Sequence, residues 1–169
     1  FAFINAPRDR DGVVRRLDLF SKHDNLLFPS LALLTSSVAL DAPIQPIVEM
    51  FAGQEILVGT ASLLGQDTDD IPLDRHGRLL LRHYGPPEEI FQSISVADIV
   101  DDHLPEGFLN NKIVLFGFTA AGLNIDLVPT AFSSGTPGVY IHATAIQNIL
   151  DAHHLERWFG IALIEALAY

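Results

Sequence analysis

The chain has 169 residues, 49% of them hydrophobic and 18% charged, with 21 acidic against 10 basic side chains and a formal net charge of −11. That length and composition suit one globular domain able to enclose a core. The charge repels phosphate backbones and anionic lipid surfaces and so argues against nucleic acid as a partner, while the lack of cysteine excludes disulfides, zinc thiolate sites and a thiol nucleophile.

In chain order, the first expected element is a β-hairpin whose arms are the apolar run 1–4 and residues 13–20. Its turn chemistry comes from Asn5, Pro7, Asp9, Asp11 and Gly12. Arg8, Arg10, Arg15 and Arg16 form the only dense basic group, and pairing with Asp9, Asp11 and Asp18 explains it more simply than a binding site does. A helix is expected to begin around Phe28-Pro29-Ser30, with Pro29 at an early helical position, Ser30 bonding its own backbone and Leu31, Leu34 and Val38 as the buried stripe. It should stop near Leu40 at Asp41-Ala42-Pro43. Residues 43–49 read as a connection and 55–59 as a strand.

A second hairpin is expected from residues 71–74 and 78–82 around the turn Arg75-His76-Gly77, with Tyr84-Gly85-Pro86-Pro87 as a rigid exit. Asp67, Asp69 and Asp70 have a spacing that raises calcium, but no EF-hand glycine and glutamate follow, so a solvated loop is the simpler reading. Ser95 is placed to cap a short helix through Val96, Ile99 and Val100.

The organising stretch comes next. Residues 113–116 read as a buried central strand, ended by Gly117, and the loop to Gly122 is tight enough to bring backbone amides near whatever lies beyond the strand. Pro137-Gly138 opens an amphipathic helix with Val139, Ala143, Ile146, Ile149 and Leu150 at three- and four-residue steps. Thr119, Asp126, Thr130 and His142 are the polar groups expected to converge near the strand's end as a ligand-binding site. His142, one turn into the helix, suits either an anion or a loop carbonyl; holding the junction is the simpler role, since no catalytic partner is evident. From Arg157 and Trp158 the composition turns apolar, but a bilayer span needs about 20 apolar residues. The run is therefore either the start of a membrane helix or an ordinary packing helix.

Taken together, Asp11-Gly12-Val13-Val14-Arg15-Arg16, Phe28-Pro29-Ser30-Leu31-Ala32-Leu33, Asp74-Arg75-His76-Gly77-Arg78-Leu79, Tyr84-Gly85-Pro86, Gly117-Phe-Thr-Ala-Ala-Gly-Leu123, Asp126, Thr130, Pro137-Gly138-Val139 and Ile141-His142-Ala143 resemble the CHASE2 family, in the family's order. The resemblance implies an extracytoplasmic sensory domain of bacterial membrane receptors, whose cytoplasmic outputs include nucleotide cyclases, histidine kinases, diguanylate cyclases and Ser/Thr kinases. It implies that residues 1–156 are the C-terminal portion of that domain and that 157–169 begin a juxtamembrane or transmembrane helix. A chain that starts at Phe1, with neither initiator Met nor signal peptide, fits a piece of a longer receptor.

The expected fold is α/β in the mixed α+β sense: a central mixed sheet, flanking helices and a C-terminal helix leading toward the membrane. The expected function is a non-catalytic input domain without cofactor or metal. Its expected partners are a small-molecule or physical stimulus, a second copy in a homodimer, and the membrane through the following helices. A purely structural dimerisation module and an α/β enzyme are the rival readings. For the enzyme, Ser133-Ser134-Gly135 lacks a nucleophile elbow, the 117–122 loop lacks dinucleotide and phosphate-loop fingerprints, and the seven histidines lack the spacing of helical metal ligands.

Overall fold

The computed structural model describes residues 1–24, 26–45, 49–51, 54–56, 62–63, 71–74, 76–119, 126–152 and 155. Residues 157–169, the acidic residues at 67–70 and Gly122 lie outside them. The strands are β1 (Arg16–Asp18), β2 (Phe20–His23), β3 (Leu26–Pro29), β4 (Ile44–Gln45), β5 (Glu49–Phe51), β6 (Gln54–Ile56), β7 (Ser62–Leu63), β8 (Arg78–Leu80), β9 (Leu127–Val128) and β10 (Thr136–Pro137). The helices are α1 (Leu31–Leu40), α2 (Pro87–Ile90), α3 (Val96–Val100) and α4 (Gly138–Leu150). Among the described residues every sheet has two antiparallel strands, pairing β1 with β8, β2 with β3, β4 with β7, β5 with β6 and β9 with β10. The architecture is mixed α+β, and the expected central sheet is not seen among these residues.

The N-terminal arm departs from the expected hairpin. Residue 3 does not pair with β1; its amide donates to the Pro29 carbonyl and its carbonyl accepts from Leu31, a parallel bridge to Ser30. β1 turns instead to β8, with Leu17 opposite Leu79. The turn itself is where the sequence puts it: Gly12 donates to Asp9 with a φ of 85°, and Asp9 donates to Val13. The reason lies in burial. Val14, Leu17 and Leu19 are fully buried, so this arm faces the core and needs a partner from the interior. The second expected hairpin also changes partners: the turn closes through Gly77 donating to Asp74, but residues 71–74 form no strand.

Pro29 ends β3, and Ser30 is the N-cap of α1, its Oγ accepting from the Leu33 amide at 3.2 Å. Asp41 stops the helix in a left-handed conformation. The buried face is Ala32, Leu33 and Ser36, and Val38 is 74% exposed, so the expected stripe is displaced around the helix. A helix apolar nearly all round gives its period little power to choose a face. Residues 43–49 are not a plain connection, since they contain β4. The strand expected at 55–59 is seen as β6, one residue earlier; residues 57–60 lie outside the described part.

The core joins Val14, Leu17, Leu19, Ala32, Leu33, Leu79, Ile141, Ala145 and Ile149, so that α1 and α4 pack on each other and on the β1–β8 pair. α4 begins where Pro137-Gly138 places it, but its buried residues include Ile141, His142, Ala145 and Asn148, while Val139, Ala143 and Leu150 are only partly covered. Truncating a buried leucine such as Leu17 to alanine costs about 2–5 kcal/mol in a core of this kind.

Candidate functional site at the start of α4

The N-terminus of α4 is assembled from three pieces of chain. β10 runs straight into it, the residue before β9 folds back over it, and the N-terminal arm passes beside its first turn. Asp126, at a φ of 65°, accepts from the Gly138 amide through its main-chain carbonyl at 2.9 Å. Its carboxylate lies directly over the Gly138 Cα: a Cβ built there would stand 2.6 Å from Asp126 Cγ. Only glycine lets the helix begin this close to the carboxylate.

One turn on, His142 is 7% exposed. Its Nε2 lies 3.1 Å from the Ile4 carbonyl, which can only accept, so Nε2 carries the proton and Nδ1 is the bare lone pair. Nδ1 is buried with no hydrogen-bond partner among the described residues. Burial lowers the pKa of His142, against opposing pulls from the Ile4 carbonyl and the nearby Asp126 carboxylate. Asp126 and His142 are thus neighbours in space across sixteen positions of sequence.

Thr130 belongs to the same region in a different capacity. Its Oγ1 contacts Thr136 Oγ1 at 3.1 Å and accepts from the Ser133 amide at 3.3 Å, closing the loop between β9 and β10. Ser133 Oγ accepts from Gly135 in the same loop and is not joined to a histidine. Thr119 lies apart from Thr130, in an exposed stretch lining a groove of about 510 Å³ between α4, residues 112–119 and residues 91–99. The groove is largely apolar, with Phe91, Ile99, Phe108, Leu115 and Val139 among its walls. Lys112 Nζ stands 3.9 Å from the Phe108 ring centroid.

The organising strand is the largest correction. Residues 113–116 form no strand among the described residues, and Ile113, Val114 and Phe116 are exposed, Phe116 by 75%. Leu115 alone turns inward enough to pack on the core. Gly117 ends no strand among the described residues; its lack of a side chain instead admits Val139, whose Cβ would stand 2.6 Å from a Cβ built at Gly117.

The arginine motifs are structural. Arg15 bonds Asp9 at 3.1 Å and Asp11 at 2.8 Å; Arg16 bonds Asp9 at 2.9 Å and reaches Asp74 at 3.4 Å; Arg78 meets Asp74 at 3.0 Å. Burial pushes the Asp74 pKa up, but the His76 amide and the Arg78 guanidinium prevail and hold it below the usual value. The exposed Asp11 carboxyl is drawn down to about 2 by Arg15 and the Val13 amide. The two motifs meet through β1 and β8 and staple that pair from outside.

Two polar residues escaped the sequence reading. Asn148 is fully buried on α4 and copies a strand partner: Oδ1 accepts from the Arg82 amide at 2.8 Å, and Nδ2 donates to the Arg82 carbonyl at 3.0 Å and the Tyr84 hydroxyl at 3.3 Å. Its place among Ile141, Ala145 and Ile149, at three- and four-residue steps or next in chain on the buried side of α4, was the available signal. His83 also has an unpartnered buried Nε2, and its ring stands edge-on to Phe132 with centroids 6.4 Å apart.

Among the described residues no group of three or more histidine, aspartate or glutamate side chains is placed to hold a metal ion, and no helix is long and apolar enough to cross a membrane. No curated protein and no solved structure matches the chain. The model of the CHASE2 domain matches residues 1–168, and the chain accordingly belongs to the CHASE2 family of extracytoplasmic, generally non-catalytic sensory domains of signalling receptors.

Proposed function

We propose that this chain is the input domain of a bacterial receptor, lying in the periplasm or outside the cell, and that its responsive site is the Asp126–His142 corner at the start of α4. A small molecule or physical cue acting there biases two arrangements of α4, and the helix passes the difference on toward residues 157–169. The output at the cytoplasmic end would be a nucleotide cyclase or a histidine kinase. Two domains side by side form the natural unit, because such enzymes act as dimers.

One observation carries the reading: the buried Nδ1 of His142 on α4, unpartnered among the described residues, in a ring whose charge the Asp126 carboxylate favours. A buried polar atom without a partner costs on the order of 1–3 kcal/mol, a cost that a ligand donor removes. Thr130 supports the corner by fixing the β9–β10 loop, and Thr119 contributes from the neighbouring groove.

The test is a thermal-shift screen of the chain against small polar metabolites at neutral pH, repeated on Asp126→Ala and His142→Ala. The reading requires a compound that raises the melting temperature of the parent and not that of the folded variants. A compound that stabilises all three equally places the site elsewhere. A second reading, a structural module joining receptor chains, is favoured by the exposed Val114, Phe116 and Phe118. Sedimentation would support it by showing a tight dimer that no compound stabilises.

A further inference from the structure

The N-terminal arm passes two buried or half-buried histidines of the body, His142 near its start and His83 near its end. His142 on α4 holds the Ile4 carbonyl at 3.1 Å. The ring of His83, just beyond β8, lies close to the backbone of Val14, which favours its protonated form. Each ring also has a buried nitrogen with no partner among the described residues, Nδ1 in His142 and Nε2 in His83. The arm is held besides by the Phe3 bridge to Ser30 and by the Val14 amide donating to the Pro129 carbonyl.

We propose that His142 and His83 form an acid-released latch that holds residues 3–14 against α4 and the chain after β8, so that the proton is a stimulus of this domain. This deepens the sensory reading above and rests on it for its biological meaning. A neutral ring satisfies the arrangement with one donor and one bare lone pair. A protonated ring carries a second N–H with no acceptor within hydrogen-bond distance among the described residues, at a buried position. The charged rings are relieved by turning outward, and the arm goes with them.

The charged surroundings do not cancel this. The Asp126 carboxylate favours the charged form of His142 but burial outweighs it, and the Arg8 guanidinium is engaged with the Leu127 carbonyl at 3.2 Å. α1, packed against α4, contains no ionisable side chain, and neither does β10. Near His83, Arg82 lies over the Tyr84 ring at 5.6 Å and Arg15 is committed to Asp9 and Asp11. Burial lowers both histidine pKa values from the ordinary 6.5. A group held neutral in this way stabilises the fold fully above its unfolded pKa, and the contribution falls away as pH drops below that value.

The experiment follows the ring protons of the intact chain by NMR between about pH 7.5 and pH 5 and measures amide exchange at Phe3, Val14 and Leu31, corrected for intrinsic pH dependence, in parent and in the His83→Gln/His142→Gln double variant. Both rings should titrate on the acid side of about 6.5, and the three amides of the parent should lose protection by about tenfold or more in acid. In the variant, whose side-chain amides can still donate hydrogen bonds, protection should be nearly flat with pH. Rings that titrate at or above the ordinary value overturn the proposal, and that result needs only the parent chain. So does an equal loss of protection in parent and variant. Either failure leaves the ligand-binding reading standing, because that is read at neutral pH by ligand-induced stabilisation.

Discussion

Gly138 and Asp126 give the sharpest residue-scale expectation. Gly138→Ala puts a methyl group 2.6 Å from Asp126 Cγ and should destabilise the chain by about 1–3 kcal/mol, as overpacking does. Asp126→Gly in the same chain should recover most of that, since alanine is otherwise the better helical residue by about 1 kcal/mol. A double-mutant cycle by urea unfolding checks it, and additive effects would show that the carboxylate does not set the contact. Asn148→Ala leaves the buried Arg82 amide and carbonyl without their partner and should cost about 1–3 kcal/mol in the same measurement. Of these three residues the sequence exposed two: Gly138 by its place after Pro137, and Asp126 by its spacing. Asn148 was hidden because its partner is main chain 66 positions away, which carries no residue identity.

At the scale of elements, starts and stops were legible and partners were not. Ser30, Asp41, Ser95 and Pro137-Gly138 mark helix ends through chemistry confined to a few neighbouring residues: α1 runs between Ser30 and Asp41, with Pro29 left in β3 and not in the helix, and α3 and α4 begin after Ser95 and Pro137. Strand pairing depends on distant chain, and both expected hairpins exchanged partners: β1 took β8, and residue 3 took Ser30. Residues 113–116 show the same limit, since a short apolar run fits a buried strand but does not by itself supply the partner that would make it one. Of the four candidate polar groups, Asp126 lies close enough to pull on the charge of His142, Thr130 serves its own loop and Thr119 faces the groove. Gly117→Ala tests the hold of this segment on α4. The new methyl group meets Val139, so the change should lower the melting temperature, and Val139→Ala should restore part of the loss. An unchanged melting temperature would mean that the segment does not bear on the helix.

For the whole molecule, stability should fall in acid in two stages with separate causes. The first begins below about pH 6.5, where the unfolded chain binds protons at His83 and His142 that the folded chain refuses. The second comes as pH falls below the ordinary carboxylate value of 3.8 and through the lower folded values of Asp74 and Asp11, whose ion pairs then dissolve. Asp18 opposes this second stage, because burial raises its pKa and its protonation favours the fold. Chemical unfolding across the pH range should show the first stage absent from the double histidine variant and the second intact.

These effects converge on α4, which the core holds along its length and the Asp126–His142 corner holds at its start. The most direct measurement is the signalling output of the full-length receptor in its membrane, recorded against stimulus for the parent, Asp126→Ala and His142→Ala, with folding verified in each. A flattened or shifted response in both variants is the predicted result. Responses matching the parent in both would contradict a sensory corner at the start of α4.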